Sequence, residues 1–215
     1  GEANFSDHGA NRLGASALMQ GLADGYFILP TTVSDYLARR KPVKAENYQS
    51  QVDAAMQASK TRISALMNAP EPSVTPDDFH RQLGQILWHA CGMAREKESL
   101  LTAVEKIRML RDEFWKKVKI TGEAEQLNQT LERAGRVADF FELAELMCLD
   151  ALEREESCGC HAREEHLTDD GEAKRNDMDY SYVAAWQYSG EVSKPTLYRE
   201  YLHFDFVRPS IRNYQ

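Results

Sequence analysis

Residues 123–153 read EAEQLNQTLERAGRVADFFELAELMCLDALE and form the longest amphipathic stretch of the sequence. Apolar and small residues recur there at alternating steps of three and four, and Glu145 is the one polar interruption. This period predicts a single long helix with one buried side. The residues of that side are Leu127, Leu131, Ala134, Ala138, Phe141, Cys148 and Leu152.

Two further amphipathic stretches precede this helix. The first runs from Thr75 to about Gly92, and Thr75 before Pro76 and two aspartates is typical of a helix start. The second covers about residues 96–118. Three antiparallel helices with short connections are therefore predicted to bury a shared apolar stripe.

The segments that flank the three helices have a different character. A Gly- and Ala-rich helix is predicted over residues 14–29 and is expected to end at Pro30, and another helix is predicted near residues 45–68. A polar segment without periodicity follows residue 153, and alternating residues predict strands over 180–188 and 201–206. The predicted fold class is mainly α, with an antiparallel three-helix bundle, a preceding Gly/Ala-rich helix, a small β element and an irregular tail.

Composition excludes several classes of protein. The 215 residues carry 26 Lys and Arg against 34 Asp and Glu, so the formal net charge is −8, which argues against nucleic-acid binding. No apolar run approaches the roughly 18–20 residues that cross a bilayer, and no secretory leader is visible. The four cysteines lack the spacing of a secreted disulfide framework, so a reducing cytosol is expected. The opening residues, Gly1-Glu2-Ala3-Asn4, suggest a piece of a longer protein.

The N-terminal stretch holds the strongest candidate site. Arg12 immediately precedes the first turn of the predicted helix, where a guanidinium and exposed backbone N–H groups together suit a carboxylate or phosphate. Glu2 is the kind of carboxylate that accepts hydroxyl groups of a ribose or ribityl chain. The alternative interpretation is that the small residues only permit tight helix packing while Arg12 pairs with a neighbouring acid.

A second cluster is Cys158-Gly159-Cys160-His161, with His166 nearby. Thiolate and imidazole groups suit zinc. The spacing is C-x-C instead of the C-x-x-C of a zinc knuckle, and no second knuckle follows. Ordinary thiols are therefore the favoured interpretation, with no metal, and metal binding is the alternative.

Several other residues are assigned structural roles. Cys91 and Cys148 fall on helix faces and are predicted to be buried, whereas His80 and His89 are predicted to be partly exposed. The glutamates between residues 153 and 165 are expected to form a solvated face.

Residues 154–163 contain a dense motif, in which Arg154, Glu156-Ser157, Gly159, His161 and Arg163 follow the pattern R-x-E-S-x-G-x-H-x-R. This motif resembles the R-x-E-S-R-G-A-H-x-R signature of the flavoprotein subunits of succinate dehydrogenase and fumarate reductase. The other stretches similar to that family are Gly1-Glu2, His8 to Gly14, Ser16 to Leu18, residues 108–119, residues 182–186 and residues 202–214. The similarity extends over the whole chain, as the C-terminal part of a longer subunit.

The resemblance implies a domain organisation and a set of site residues. Residues 1–40 would be the end of the FAD-binding domain, 41–153 the helical domain and 154–215 a C-terminal tail with short strands. Arg12 would bind a carboxylate of a C4 dicarboxylate, and Glu2 would contact FAD hydroxyls. The remaining assignments are flavin contacts through the backbone N–H groups of Ala17 and Leu18, and a pocket shaped by His8 and Asn11.

The resemblance also implies a function. The whole subunit would transfer hydride between succinate or fumarate and FAD and pass electrons to an iron–sulfur subunit and, through a membrane anchor subunit, to quinone. It would lie on the cytoplasmic side of the inner membrane without inserting into it, and the 215-residue chain alone would be inactive. In the family the positions of Cys158 and Cys160 usually carry Arg and a small residue, so the contact made by that Arg is in doubt here.

Three alternatives remain open. The first is an L-aspartate oxidase-like flavoenzyme, which shares much of the N-terminal motif. The second is an autonomous helical interaction module, whose Gly-rich helix is only a packing face. The third is a metal-binding regulator that uses Cys158, Cys160, His161 and His166.

Overall fold

The computed structural model describes residues 14–41, 43–206 and 208–210. The chain divides into two compact units, Gly1–Thr61 and Arg62–Gln215. The three-part division proposed from the resemblance stays a prediction. Within the described residues, no helix combines the length and apolar composition that crossing a lipid bilayer requires.

The first unit contains helix α1 (Gly14–Ala23), a π-helical segment (Asp24–Ile28) and helix α2 (Leu29–Ala38), which follow one another without a break. The prediction that Pro30 ends the helix is wrong. The N–H of Leu29 bonds to the carbonyl oxygen of Asp24, five residues back, which defines the wider π turn. Pro30 then falls in the first turn of α2, directly after the π turn, and the helix continues past it to Ala38.

A short 3₁₀ turn (Ala45–Tyr48) leads into helix α3 (Gln49–Met67), close to the predicted bounds. The predicted apolar face of this helix is mostly uncovered. Leu66 is buried, whereas Tyr48, Val52 and Ile63 are all more than 40% exposed.

The second unit contains the predicted bundle of helices α4 (Pro76–Ala90), α5 (Lys97–Lys117) and α6 (Gln129–Glu153). Its core is a continuous cluster of buried apolar residues from all three helices. Phe114 of α5 lies at the centre, with ring centroids 5.2 Å from Phe79 and 5.4 Å from Phe141. The mainly helical fold class is confirmed.

Helix α6 begins six residues later than predicted. Asn128 is its N-cap, and the Asn128 side chain accepts a hydrogen bond of 3.0 Å from the Leu131 N–H. The Asn128 amide also donates to the Thr121 carbonyl oxygen at 2.9 Å, which holds the connection in a turn with Gly122 at φ 88°. Leu127 therefore precedes the helix and is 98% exposed.

The chain after α6 forms a 3₁₀ turn (Glu164–His166), the single-turn helix α7 (Asp177–Tyr180) and strands β1 (Tyr182–Gln187) and β2 (Thr196–Tyr201). The two strands pair antiparallel, with Tyr182 opposite Tyr201. The predicted β element is confirmed, but its second strand lies before residues 202–206. The ladder ends where the Leu202 N–H bonds to the Ser181 carbonyl oxygen at 2.9 Å.

Candidate functional site

Four of the predicted site residues, Glu2, His8, Asn11 and Arg12, lie outside the described residues. The nearest described residue is Gly14, the first residue of α1. The first turn of a helix leaves backbone N–H groups without an intrahelical acceptor, and the positive end of the helix dipole lies there. Such donors fit a carbonyl oxygen or an anion, including the polar edge of a flavin.

Ala17 and Leu18 lie at the end of this first turn and differ in exposure. Ala17 is buried, at 9% exposure, whereas the Leu18 side chain is 73% exposed. The small Ala17 side chain would not obstruct a flat ligand that approaches the backbone. The predicted flavin contacts of both residues stay predictions.

The signature segment, residues 154–163, begins directly after α6 and forms a largely buried polar network. Arg154 pairs with Glu156 at 2.7 Å and donates to the carbonyl oxygens of Tyr180 and Tyr182, each at 3.2 Å. The other oxygen of Glu156 accepts the Asn176 N–H at 2.8 Å. This network joins the end of α6 to α7 and β1. The expectation of a solvated acidic face is wrong for Glu156, which is only 2% exposed. Its hydrogen-bond partners compensate the burial of its charge.

Arg163 is the most deeply placed arginine of the segment, with 1% exposure. Its guanidinium donates to the carbonyl oxygen of Ala151 at 2.8 Å, in the last turn of α6, and to the Glu165 carboxylate at 3.1 Å. A cation at a helix C-terminus is stabilised by the helix dipole and satisfies carbonyl groups that have no helical partner. The Ser157 hydroxyl fixes the backbone of Arg163, since it accepts the Arg163 N–H at 2.8 Å and donates to the Arg163 carbonyl oxygen at 3.0 Å. Arg163 is thus bound within this chain.

His161 connects two arginines of the network. Its Nδ1 lies 2.8 Å from a guanidinium nitrogen of Arg95, and its Nε2 lies 2.8 Å from the carbonyl oxygen of Arg154. Arginine only donates and a carbonyl only accepts, so Nδ1 accepts, Nε2–H donates and the ring is neutral. Burial lowers the pKa of His161, and the nearby charges of Arg95 and Arg163 lower it further.

The alternative of a metal site at Cys158, Cys160, His161 and His166 gains no support from the geometry. Both ring nitrogens of His161 are engaged in hydrogen bonds. Residues 158–161 form a tight turn, in which the Cys158 N–H bonds to the His161 carbonyl oxygen at 2.8 Å and Gly159 has φ 58°. Burial raises the pKa of Cys158, which disfavours a metal-binding thiolate. Across the described part of the chain, no three His, Cys, Asp or Glu residues gather as a metal site.

A family model described as "Fumarate reductase flavoprotein C-term" matches residues 80–214, well over half of the chain. The chain belongs to this family. The resemblance drawn from the sequence is therefore confirmed, and the signature network lies inside the region that defines the fumarate reductase flavoprotein C-terminal family.

Individual relatives extend the match. The chain is 26% identical over 173 residues to the fumarate reductase flavoprotein subunit of Haemophilus influenzae, which covers 80% of this chain and 27% of that protein. It is 23% identical over 214 residues to the succinate dehydrogenase flavoprotein subunit of Bacillus subtilis, which covers 100% of this chain and 35% of that protein. The chain thus spans roughly a quarter to a third of the length of these relatives.

The fold agrees with solved structures of the family. A mutant form of E. coli quinol fumarate reductase matches with a TM-score of 0.65 at 19% identity, over 81% of this chain and 28% of that chain. A second quinol–fumarate reductase structure, with menaquinol molecules, also gives a TM-score of 0.65, at 20% identity, over 80% of this chain and 28% of that chain.

The structure contains a second buried polar cluster, which the sequence analysis did not predict. Glu145, noted in the sequence only as a polar interruption, is fully buried on α6 and pairs with Arg108 at 2.7 Å and Arg111 at 2.5 Å. Burial raises the pKa of Glu145, but the hydrogen bonds from the two guanidinium groups outweigh burial and hold the pKa below its usual value. The guanidinium of Arg111 also donates to the Ser193 hydroxyl at 3.0 Å, which attaches the β1–β2 loop to α5. The signal in the sequence that could have revealed this cluster was the carboxylate of Glu145 within the apolar stripe of the helix.

An open groove of about 740 Å³ lies between α4 and α5. Its lining mixes polar and apolar side chains, including Gln82, Ile86, His89, Thr102 and Lys106. None of the described site residues predicted from the sequence lines it.

Proposed function

We propose that this chain is the C-terminal part of a flavoprotein subunit that interconverts succinate and fumarate. The observation that carries the proposal is the family match over residues 80–214. The likeness to the Bacillus subtilis succinate dehydrogenase subunit supports it, because that likeness extends over 214 residues and so reaches the stretch around Arg12.

The proposed substrate contact is made by Arg12. Its guanidinium binds one carboxylate of the C4 dicarboxylate through two parallel hydrogen bonds and orients the carbon–carbon bond that reacts. FAD, when bound, supplies the acceptor or donor of the hydride. Glu2 accepts hydroxyl groups of the cofactor, the backbone of Ala17 and Leu18 faces its isoalloxazine ring, and His8 and Asn11 shape the pocket.

The remaining walls of the site come from outside this chain, so the chain alone is expected to be inactive. The exposed apolar side chains of α1, the π segment and α2 support this expectation, because a contiguous apolar surface marks a place where another part of a protein packs. They include Leu18, Met19, Leu22, Tyr26, Phe27, Ile28 and Leu29. In the assembled enzyme, electrons pass to an iron–sulfur subunit and then to quinone through a membrane anchor subunit. The flavoprotein lies peripherally on the cytoplasmic side.

The test uses the native protein, purified from its source with an antibody raised against this chain. We expect a polypeptide heavier than the 24.5 kDa of this chain, with bound flavin, that oxidises succinate with an artificial acceptor and reduces fumarate with an artificial donor. Arg12→Lys in that protein should lower kcat/KM in both directions by about 100-fold or more while flavin is retained, because one cation cannot replace a bidentate contact. Arg39→Lys, at the exposed end of α2, is the matched control and should leave both activities unchanged.

Two results would overturn the proposal. A flavin-free polypeptide of 24.5 kDa would favour the autonomous helical module. A flavoprotein that oxidises L-aspartate and not succinate would favour the L-aspartate oxidase alternative.

A further inference from the structure

Cys158 and Cys160 are two thiols that the proposed function does not use. Both lie in the turn 158–161, where the Cys158 N–H bonds to the His161 carbonyl oxygen at 2.8 Å and the His161 N–H bonds to the Cys158 carbonyl oxygen at 3.1 Å. Gly159 has φ 58°, which is typical of the first residue of a two-residue hairpin turn. Neither cysteine is in a disulfide. The structure thus places two thiols on one tight turn.

The turn holds the two cysteines within the range of a disulfide. Residues two apart in sequence are separated by at most about 7 Å between their Cα atoms, even in a fully extended chain. A reverse turn shortens this distance, and Cα–Cα distances of about 4.4–6.8 Å are usual for disulfides. Gly159 between them has no side chain that could obstruct the two sulfur atoms. A disulfide between Cys158 and Cys160 can therefore close within the turn itself.

The two thiols differ in accessibility, so they are suited to different steps. Cys160 is exposed, whereas Cys158 is partly buried. Burial and the nearby carboxylate of Glu156 raise the pKa of Cys158, which keeps it a thiol at neutral pH. A dissolved molecule therefore meets Cys160 first. Cys91 and Cys148 are buried in the helical core, where a molecule of several residues in size does not reach them.

We propose that Cys158 and Cys160 form a thiol–disulfide exchange site for a small disulfide of the oxidised glutathione type. In the first step, the Cys160 thiolate attacks one sulfur of oxidised glutathione, the S–S bond breaks, and one glutathione leaves as a thiolate. In the second step, the Cys158 sulfur attacks the Cys160 sulfur and displaces the second glutathione, which takes the Cys158 proton. Two protein thiols and one oxidised glutathione give one protein disulfide and two reduced glutathione molecules.

The position of the exchange site connects it to the signature network. The backbone of Cys158 bonds to that of His161, whose ring contacts Arg95. The preceding residue, Ser157, holds both backbone groups of Arg163 through its hydroxyl. Closing the disulfide therefore alters the turn that positions His161 and Arg163. Exposed disulfides are the more easily reduced ones, so the state of this turn should follow the thiol–disulfide balance of its surroundings.

The experiment incubates the full 215-residue chain with oxidised glutathione at neutral pH, alkylates the remaining thiols in denaturant and digests the chain without reduction. Trypsin cleaves after Lys and Arg, so Cys158 and Cys160 fall together in peptide 155–163. The two core cysteines fall in separate peptides, 82–95 and 137–154, which serve as internal controls. We expect peptide 155–163 to lose two hydrogens and escape alkylation, and the control peptides to be alkylated. Dithiothreitol should reverse the change.

Single variants test the order of the two steps. Cys158→Ser should stop at a glutathione adduct on Cys160, because no second thiol displaces the glutathione. Cys160→Ser is the matched control and should react at least about tenfold more slowly, because the remaining thiol is partly buried and protonated.

Three results would overturn the proposal. In the parent chain, these are complete alkylation of peptide 155–163, or a glutathione adduct on that peptide that does not proceed to the disulfide. In the variants, it is an equal rate for Cys160→Ser and Cys158→Ser. If a variant does not fold, the peptide map of the parent chain decides alone. None of these results depends on flavin or on succinate.

Discussion

At the scale of single residues, Glu145 is the buried carboxylate on which two arginines and the β1–β2 loop depend. Removing one partner of a buried ion pair leaves the other charge uncompensated and typically costs about 3–5 kcal/mol. Because Arg108 is 40% exposed and Arg111 is 16% exposed, we expect the lower end of this range. Glu145→Ala should lower the free energy of unfolding by about 3 kcal/mol in urea titration.

The matched control is Glu142→Ala, since Glu142 lies on the same helix and is exposed. A surface substitution of this kind should change the unfolding free energy by no more than about 0.5 kcal/mol. Equal losses in the two variants would mean that the buried ion pairs contribute nothing beyond helix propensity.

His161 gives the second prediction at this scale, and it concerns pH. Its pKa is lowered in the folded chain by burial, so the unfolded chain binds more protons below the ordinary pKa of about 6.5. The contribution of neutral His161 is therefore fully present above that value and is lost as pH falls through and below it. The free energy of unfolding should decrease from pH 7 to pH 5 with a slope of at most about 1.4 kcal/mol per pH unit.

His161→Gln should flatten this dependence in urea titrations at several pH values, whereas His89→Gln, on the exposed face of α4, should not. The carboxylates with lowered pKa values do not contribute to the slope between pH 7 and pH 5. Burial would raise the pKa of Glu165, but the Lys97 N–H and Arg163 lower it to about 2. Its contribution is lost only below about pH 4.3. An unchanged slope in His161→Gln would mean that the pH dependence has another origin.

At the scale of elements, Asn128 sets the start of α6. Its side chain accepts the Leu131 N–H and donates to the Thr121 and Glu123 carbonyl oxygens. Loss of an N-cap side chain typically costs about 0.5–2 kcal/mol, and the lost turn contacts place Asn128→Ala at about 1–2 kcal/mol. Chemical denaturation measures this loss.

Asn128→Asp separates the two roles of this side chain, because it keeps the acceptor for Leu131 but removes the amide donors. It should recover more than half of the stability that Asn128→Ala loses. Gln129→Ala, at the exposed first residue of α6, should stay within about 0.5 kcal/mol of the parent. If Asn128→Ala is no worse than Gln129→Ala, the cap does not define this helix start.

At the scale of the whole molecule, the apolar surface of the first unit predicts the behaviour of the chain in solution. Leu22, Ile28 and Leu29 are each more than 50% exposed. Uncovered surfaces of this kind bind hydrophobic dyes and promote association. We expect the purified 215-residue chain to enhance dye fluorescence and to self-associate in light scattering.

The triple variant Leu22→Gln/Ile28→Gln/Leu29→Gln should reduce both signals by at least about half. The control is Leu127→Gln, since Leu127 is 98% exposed but lies in the second unit. A parent chain that is monodisperse and does not bind dye would contradict the prediction and would favour the autonomous helical module.

The sequence alone determined the bundle and most of its buried residues, with Leu127 as an exception. The period of apolar positions is a local property, because neighbours on a helix face are three or four residues apart. It therefore predicted α4, α5 and α6 and the burial of Cys91 and Cys148, and the signature motif identified the family. The same local reasoning failed at Pro30, where a π turn lets the helix continue, and at residue 123, because α6 starts six residues later, after its cap Asn128.

Only the tertiary structure decided which polar residues are buried and what they contact. Arg108 meets Glu145 across 37 residues of sequence, and Arg95 meets His161 across 66. No local pattern records such pairs, because a charged residue reads as exposed until the partner that neutralises it in the core is known. The tertiary structure likewise shows that β2 is Thr196–Tyr201, next to the β1–β2 loop whose Ser193 bonds to Arg111 of α5, and not residues 201–206 as the alternation predicted. The physical reason is the same in each case: the compensating group comes from a distant part of the chain.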